Sequence, residues 1–457
     1  MKVVLVAPDS KAHTITPPLG LGYLAAVTRQ NGHDAAILDL AKEQLDPRQG
    51  AEALKHLQPD LIGVSVLSTA FLQARELISI VKREMPVVPV VVGGPHITAL
   101  AGKAIGDLDV ELGVVGEAEQ IFPRLVDNIA AGHPLDDIPN FCRRVDGECM
   151  QSARSAFVQD LDSLPFPAWE LMDPRTYPDQ PHQLLCKEFP VAPVITSRGC
   201  PFDCTFCAST TLWGRGWRTR SAENIVDEIE YLVTEFGVKE IHFEDDNFTL
   251  NANHAAAVCD EIIKREIDVS WCTPNGVRVD SLDNELLSLM RRSGCYSLAF
   301  GIESGSQKVL DINNKKLDLE KVADAIAMVK QHGIETHGFF IIGLPGETHE
   351  TIKETNRFAR AVALDRANFA LLSPLPGSEI FNKYVQGGGG TDQLDFESLN
   401  YFTPFAIGEL DVVELKRGQR QAVYSFYLRP GPILSLARKV RPAQVKQLLR
   451  TLVDYST

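Results

Sequence analysis

Short apolar runs alternate with stretches of helical spacing from the amino terminus onward. Residues 2–7 (KVVLVA) suit a parallel strand covered on both faces. Residues 19–30 carry apolar positions at helical spacing and stop at Asn31-Gly32. Further strands are predicted at 34–40, 61–67, 87–92 and 111–115, and further helices at 51–57, 71–83 and 119–130. Five strands with helical crossovers predict a doubly wound, Rossmann-like α/β domain over residues 1–140. Ligands of such sheets sit beyond the carboxyl ends of the strands. Here those ends carry Pro8-Asp9, Ser68-Thr69, Gly93-Gly94-Pro95-His96 and Gly116-Glu117. No G-x-G-x-x-G follows the first strand, which argues against a dinucleotide site. The glycines either let backbone approach a large flat ligand or serve as turn residues of the scaffold.

A second alternating series begins after residues 160–193, where seven prolines break regular structure. Phe166, Trp169, Leu171 and Tyr177 give that segment apolar anchors, so residues 141–192 read as an ordered crossing, with a small hairpin turning at Asp146-Gly147. Strands are predicted at 193–197, 240–243, 270–273, 296–302, 335–342 and 368–373. Helices follow at 223–235, after the N-cap Ser221, and at 255–265, 284–292, 319–332 and 350–363. Six strand–loop–helix repeats predict a parallel (β/α) partial barrel over residues 193–385. Its loops at the carboxyl ends of the strands hold Asp245, Asp246, Arg278, Glu303 and Glu347. Such carboxylates can bind the amine or ribose hydroxyls of a nucleoside-like cation, or cap the next helix. Glu303 sits in an apolar run, which disfavours a purely capping role. His242 falls inside a strand and reads as a core residue.

The loop after the first of these strands carries the candidate chemistry. Cys200, Cys204 and Cys207 are spaced C-x3-C-x2-C. Three thiolates cannot fill a tetrahedral zinc site alone, whereas an iron–sulfur cubane held by three of them keeps one iron open to a ligand. A zinc site with a distant fourth ligand, or a chance cluster of small thiols, is the alternative. Cys142, Cys149, Cys186, Cys259, Cys272 and Cys295 are scattered and read as small core or surface residues, not ligands. An odd total of 9 cysteines fits a reducing compartment. The net charge of −15 argues against binding a nucleic-acid backbone. No apolar stretch reaches the ~20 residues of a membrane span, and the first residues lack signal-peptide features, so a cytoplasmic protein is expected.

The cysteine run, with Phe206 before its last member, resembles the signature of radical S-adenosylmethionine (SAM) enzymes. The segments Phe243–Phe248, Gly301–Gly305, Gly343–Glu347 and Pro374–Ser378 resemble four further segments of that family. The resemblance implies that Cys200, Cys204 and Cys207 hold a [4Fe–4S] cluster whose open iron is chelated by SAM. Reductive cleavage of SAM then yields a 5′-deoxyadenosyl radical that abstracts hydrogen from an unreactive carbon. Phe206 would line the adenine, with Arg278 and Glu303 also contacting SAM. The family's glycine-glycine-glutamate run is replaced by Glu244-Asp245-Asp246, so either Asp245 or Asp246 takes the SAM amine. The amino-terminal domain is similar to the cobalamin-binding domain of a subgroup of these enzymes, through Pro17-Pro18-Leu19-Gly20, Gly63-Val64-Ser65, Gly93-Gly94-Pro95-His96 and Gly116-Glu117. Ser68, Thr69, Gly93, Gly94, His96 and Glu117 are then the expected cobalamin contacts. The D-x-H-x-x-G cobalt-ligand motif is absent; His96 is the candidate substitute, the alternative being no histidine below the cobalt.

The implied activity is a cobalamin-dependent radical SAM methyltransferase. It would act on an unactivated carbon of a small-molecule, natural-product or lipid-like intermediate, with an electron donor such as flavodoxin or ferredoxin. One SAM methylates cob(I)alamin, and a second generates the radical. The alternatives are a non-methylating rearrangement, cyclisation or oxidation with the same cofactors, or a vestigial B12 domain kept as a binding module. Residues 386–457 read as a helical cap after a flexible glycine run at 387–390. Between Lys416 and Arg450 there are nine basic residues and no acidic ones. That segment is either a solvated helical face or a peripheral membrane contact.

Overall fold

The computed structural model describes residues 1–10, 15–145, 148–152, 157–178, 186–386, 394–400 and 402–432. The turn at Asp146-Gly147, the glycine run at 387–390 and the carboxyl-terminal part of the basic segment lie outside the described residues. What is described falls into two compact units: Met1–Pro178 with Ala208–Arg218 and Leu375–Leu399, and Asp179–Cys207 with Thr219–Pro374 and the residues from Asn400 onward.

The first unit is built on a seven-stranded sheet. Its spatial order is Asp34–Asp39, Lys2–Ala7, Leu61–Ser65, Val90–Gly93, Leu112–Val114, Phe141–Val145, Glu148–Gln151. The first five strands are parallel and the last two add antiparallel. Val3, Val4, Leu5 and Val6 are all buried, as expected of a strand covered on both faces. The sheet therefore continues past residue 140, through the expected hairpin. Part of the proline-rich segment also packs here: Trp169 is buried and the Ala168 amide donates to the Gly22 carbonyl of helix Leu19–Gln30. The helix Pro95–Asp107 was not predicted. Gly102 and Gly106 lower its intrinsic propensity, and Ala101 breaks it with φ 40°.

The second unit is a parallel sheet in strictly sequential order: Val191–Val194, Glu240–Phe243, Ser270–Val277, Cys295–Glu303, Glu335–Ile342, Arg366–Leu371. Each crossover is helical, as in a partial (β/α) barrel. The first strand begins two residues earlier than expected and contains Pro193, which is tolerated because this is an edge strand. The third runs to Val277, through Pro274-Asn275-Gly276, with a register shift after Thr273. Helix Val412–Tyr427 covers the other edge: Gln419 Nε2 donates 2.8 Å to the Phe369 carbonyl and Tyr427 Oη donates 2.7 Å to that of Ala367. Among the described residues no helix is long and apolar enough to cross a membrane.

Gly294 joins helix Asn284–Arg292 to strand Cys295–Glu303 at φ 105°, and a Cβ there would lie 2.0 Å from the Val269 carbonyl oxygen. Gly294→Ala is expected to cost about 2 kcal/mol or more in urea unfolding. Gly20→Ala, where a Cβ meets nothing within 4 Å, is expected to be neutral or stabilising.

Candidate functional site

The cysteine loop of the second unit leaves the carboxyl end of strand Val191–Val194. Gly199 turns it with φ 94°, a left-handed conformation that favours glycine. Cys200 and Cys204 are half-buried, Cys207 is exposed, and all three are free thiols. Burial pushes the Cys200 and Cys204 thiols up, while the nearby Lys315 ammonium pulls both back down. The donor set, three sulfurs within eight residues and none in a disulfide, fits a cluster with one iron left without a protein ligand.

A turn 113 residues downstream holds this loop in place. Asn313 is fully buried. Its Nδ2 donates to the Val309 and Pro345 carbonyls at 2.8 and 2.9 Å. Its Oδ1 accepts from Thr205 Oγ1 at 2.8 Å, and its carbonyl accepts from the Thr205 amide at 3.1 Å. Lys316 Nζ reaches Asp203 at 3.0 Å. Lys315 Nζ pairs with Glu303 Oε1 at 2.8 Å and lies 5.9 Å from the Phe206 ring centroid. Asn314 and Lys316 both have positive φ, 53° and 47°, which curls the turn tightly enough to present these groups together.

Arg278 belongs to the same lock. Its guanidinium lies 3.9 Å from the Phe202 ring centroid, and its Nη1 and Nη2 donate to the Lys315 and Lys316 carbonyls. Nε donates to Asp280 at 2.9 Å. Every guanidinium nitrogen is thus engaged, and Arg278 braces the cysteine loop against the 313–316 turn.

The two aspartates separate. Asp245 is buried and accepts from Thr196 Oγ1 at 2.8 Å and Ser197 Oγ at 2.5 Å, with the Thr196 amide at 3.2 Å. Burial pushes its carboxyl up to about 6. It ties its own strand end to the residues that open the cysteine loop. Asp246 is exposed, and its charge is felt at the Cys200 thiol. Glu303 is buried at the end of its strand with φ 66°, beside a register shift. A glutamate held left-handed is costly, and here the strain directs its carboxylate to Lys315. Glu347 is buried, accepts from the Gly343 amide, and is pushed up to about 8 by desolvation. It secures the Gly343–Glu347 turn.

In the first unit the glycine loops sit at the carboxyl ends of the strands. Thr98 Oγ1 donates to the Gly94 carbonyl and accepts from the Gly116 amide, both at 2.9 Å, so it links the two loops. A Cβ on Gly94 would lie 2.9 Å from the Val66 amide nitrogen. Gly116 has open space around it, and Thr69 is half-buried. These loops can take a flat ligand against bare backbone. His96 is 1% exposed, its ring 4.7 Å from that of Phe71 and 4.8 Å from that of Phe396. Nδ1 lies 3.0 Å from Ser68 Oγ, and burial lowers the imidazole to about 4. His96 and Ser68 therefore pair with each other inside an aromatic sandwich. Glu117 is buried, ion-paired with Arg218 at 2.8 Å and accepting from the Val158 amide at 2.8 Å. Its carboxylate anchors the 157–158 segment.

Lys315, Asn313, Thr196, Ser197 and Thr205 were not singled out by sequence. The run Asn313-Asn314-Lys315-Lys316 reads as a polar gap between helices, and nothing local in it signals a partner over a hundred residues away. Asn313→Ala is expected to destabilise the protein by about 1–3 kcal/mol, because it takes the acceptor from the buried Thr205 hydroxyl and the side-chain donor from the Pro345 carbonyl. It should also lower iron content after reconstitution, read by elemental analysis. Glu347 should contribute a pH slope. Its folded value of about 8 exceeds the ordinary 4.5, so the native state keeps the extra proton between those values. That stabilisation is full below 4.5 and lost as pH climbs through 8. Urea midpoints of Glu347→Gln across this window should vary less with pH than those of the parent.

A radical SAM superfamily profile matches residues 194–359, and a B12-binding-domain profile matches residues 7–126. An uncharacterized methyltransferase of Pyrococcus horikoshii is 31% identical over 99% of this chain and 98% of its own length. The anaerobic magnesium-protoporphyrin IX monomethyl ester cyclase of Rubrivivax gelatinosus is 31% identical over 85% of this chain and 69% of its own. The solved structure of the cobalamin-dependent SAM radical enzyme OxsB with aqua-cobalamin bound has a TM-score of 0.75. It covers 99% of this chain and 70% of that one at 19% identity, a likeness of fold. With both profiles on one chain and a relative matched end to end, the chain belongs to the radical SAM enzymes that carry an amino-terminal B12-binding domain.

Proposed function

We propose that this enzyme is a cobalamin-dependent methyltransferase acting on an unactivated carbon of a small-molecule, natural-product or lipid-like substrate. The observation that carries the reading is the cysteine loop itself. Three free thiols are locked by the Asn313–Lys316 turn at the carboxyl end of a parallel sheet, in a chain with a B12-binding domain. The full-length likeness to a protein named a methyltransferase supports it.

When bound, the cluster supplies the electron that cleaves SAM and cobalamin supplies the methyl group. The chain's own residues do the positioning. Cys200, Cys204 and Cys207 would hold the cluster through three of its irons, leaving the fourth open to SAM. Asp246, exposed and felt at Cys200, is the better placed of the two aspartates to meet the amine. Asp245 instead fixes the residues that open the loop. The Glu303–Lys315 pair puts one carboxylate and one ammonium beside Cys204 and Phe206. Phe206 offers the adenine a half-exposed face. His96 stays neutral and enclosed, which favours cobalamin bound with no histidine below the cobalt. The electron donor is of the flavodoxin or ferredoxin kind, and the reducing cytoplasm suits nine cysteines.

A second reading keeps both cofactors but transfers no methyl group. The 31% identity to a cyclase over 85% of this chain favours it. Turnover of the reconstituted enzyme with SAM carrying a deuterated methyl group separates the two. Methyl transfer predicts S-adenosylhomocysteine alongside 5′-deoxyadenosine and a product heavier by the labelled methyl. An unlabelled product, with 5′-deoxyadenosine alone, overturns the methyltransferase reading. Retention of corrin absorbance after reconstitution with hydroxocobalamin is expected as well, and its absence would leave the first domain a mere binding module.

A further inference from the structure

A second cluster of ligating side chains lies in the same unit as the cysteine loop, at the other end of its sheet. Glu240 opens strand Glu240–Phe243, pairing with Val191 and Ser270 at the starts of the flanking strands. His242 follows it on the same strand face. One ligand atom each of Cys186, Glu240 and His242 lies within 4.8 Å of the others, and all three residues are buried. The His242 imidazole places Nε2 2.7 Å from Glu240 Oε1, and the buried Cys272 is its in-register partner on the neighbouring strand. The other partners of Glu240 are Tyr296 Oη, which donates to Oε1 at 2.6 Å, and the amides of Lys187 and Glu188, which donate to Oε2 at 2.7 Å.

Each feature has a meaning in metal chemistry. Two sulfurs, one imidazole nitrogen and one carboxylate oxygen are a zinc-class donor set. Glu240 is pinned by a tyrosine and two backbone amides, so its carboxylate and the imidazole it meets are held before any ion arrives. Donor atoms around tetrahedral zinc sit about 3.3–3.8 Å apart, so the Cys186, Glu240 and His242 atoms, within 4.8 Å of one another, need to close by about 1–1.5 Å at most. The radical chemistry at the opposite end of the sheet uses none of these groups.

We propose that Cys186, Cys272 and His242, with Glu240 as the completing carboxylate, form a structural site for one thiophilic divalent cation of the zinc class. Binding forms two metal–sulfur bonds and releases the two thiol protons to solvent; nothing is oxidised or reduced. The ion would fasten the 186–188 segment, which leads into strand Val191–Val194 and so into the cysteine loop. By sequence alone Cys186 and Cys272 read as small core or surface residues and His242 as a core residue. Only their meeting in three dimensions suggests otherwise.

The test is elemental analysis of the full chain, reconstituted anaerobically, with zinc and iron counted together. The expected result is one zinc per chain beside the four irons of the cluster. Cys186→Ser and His242→Gln should each lose the zinc and keep the iron, which also reports an intact cysteine loop. Should either variant fail to fold, the parent chain decides. Dialysis against a zinc chelator should lower its melting temperature with iron retained, and added Zn²⁺ should restore it. Zinc near zero in the parent, zinc unchanged in both variants, or zinc that rises only as iron falls would each overturn the site. The last pattern would mean zinc misplaced on Cys200, Cys204 and Cys207.

Discussion

The buried Asn313 amide is the interaction on which the catalytic unit depends. A cysteine loop that must present three sulfurs to one cluster has no ladder of its own to hold it. Asn313 supplies the missing hydrogen bonds: it closes on Thr205 through both backbone and side chain and anchors itself to Val309 and Pro345. With Thr205 fixed between Cys204 and Phe206, the flanking pairs Lys316–Asp203 and Arg278–Phe202 set the loop's two sides. Geometry held in advance is what a cluster site needs, since a misplaced ligand costs affinity for iron and alignment with SAM alike.

Charge around the loop follows the same economy. The acids at the strand ends of this unit differ in burial and in partners. Asp245 and Glu347 are enclosed, and each serves the scaffold: Thr196 and Ser197 for the first, the Gly343 turn for the second. Asp246 remains exposed, and Glu303 is paired with an ammonium rather than with backbone. Lys315 carries the one positive charge felt at both half-buried cluster thiols, and it stabilises their thiolates against the burial that opposes them. The residue at the end of a strand is thus not enough to assign a role; its burial and its partners decide.

Much of this was legible in sequence because it is local. The C-x3-C-x2-C loop, the sequential strands and the Ser221 cap depend on neighbours within a few residues, and each stands where spacing and composition place it. The helix Pro95–Asp107 escaped because two glycines mask its periodicity. Strand Ser270–Val277 was cut short because Pro274-Asn275-Gly276 reads as a terminator, while neighbouring strands carry it through a register shift. The lock on the cysteine loop and the Cys186–His242 cluster were not legible at all. Both join residues from distant segments, and no single-chain pattern encodes which polar gap will fold against which loop. Asp245 and Asp246 likewise differ in burial, which adjacency in sequence does not reveal.

The central claim is that three cysteines hold a [4Fe–4S] cluster whose remaining iron is kept for SAM. The most direct measurement is the electron paramagnetic resonance spectrum of the reduced, reconstituted full chain before and after SAM is added. A changed cluster signal is expected, because SAM would become a ligand of the iron that no protein sulfur occupies. A spectrum unchanged by saturating SAM would contradict it, and would mark the cluster as a sensor or a structural centre.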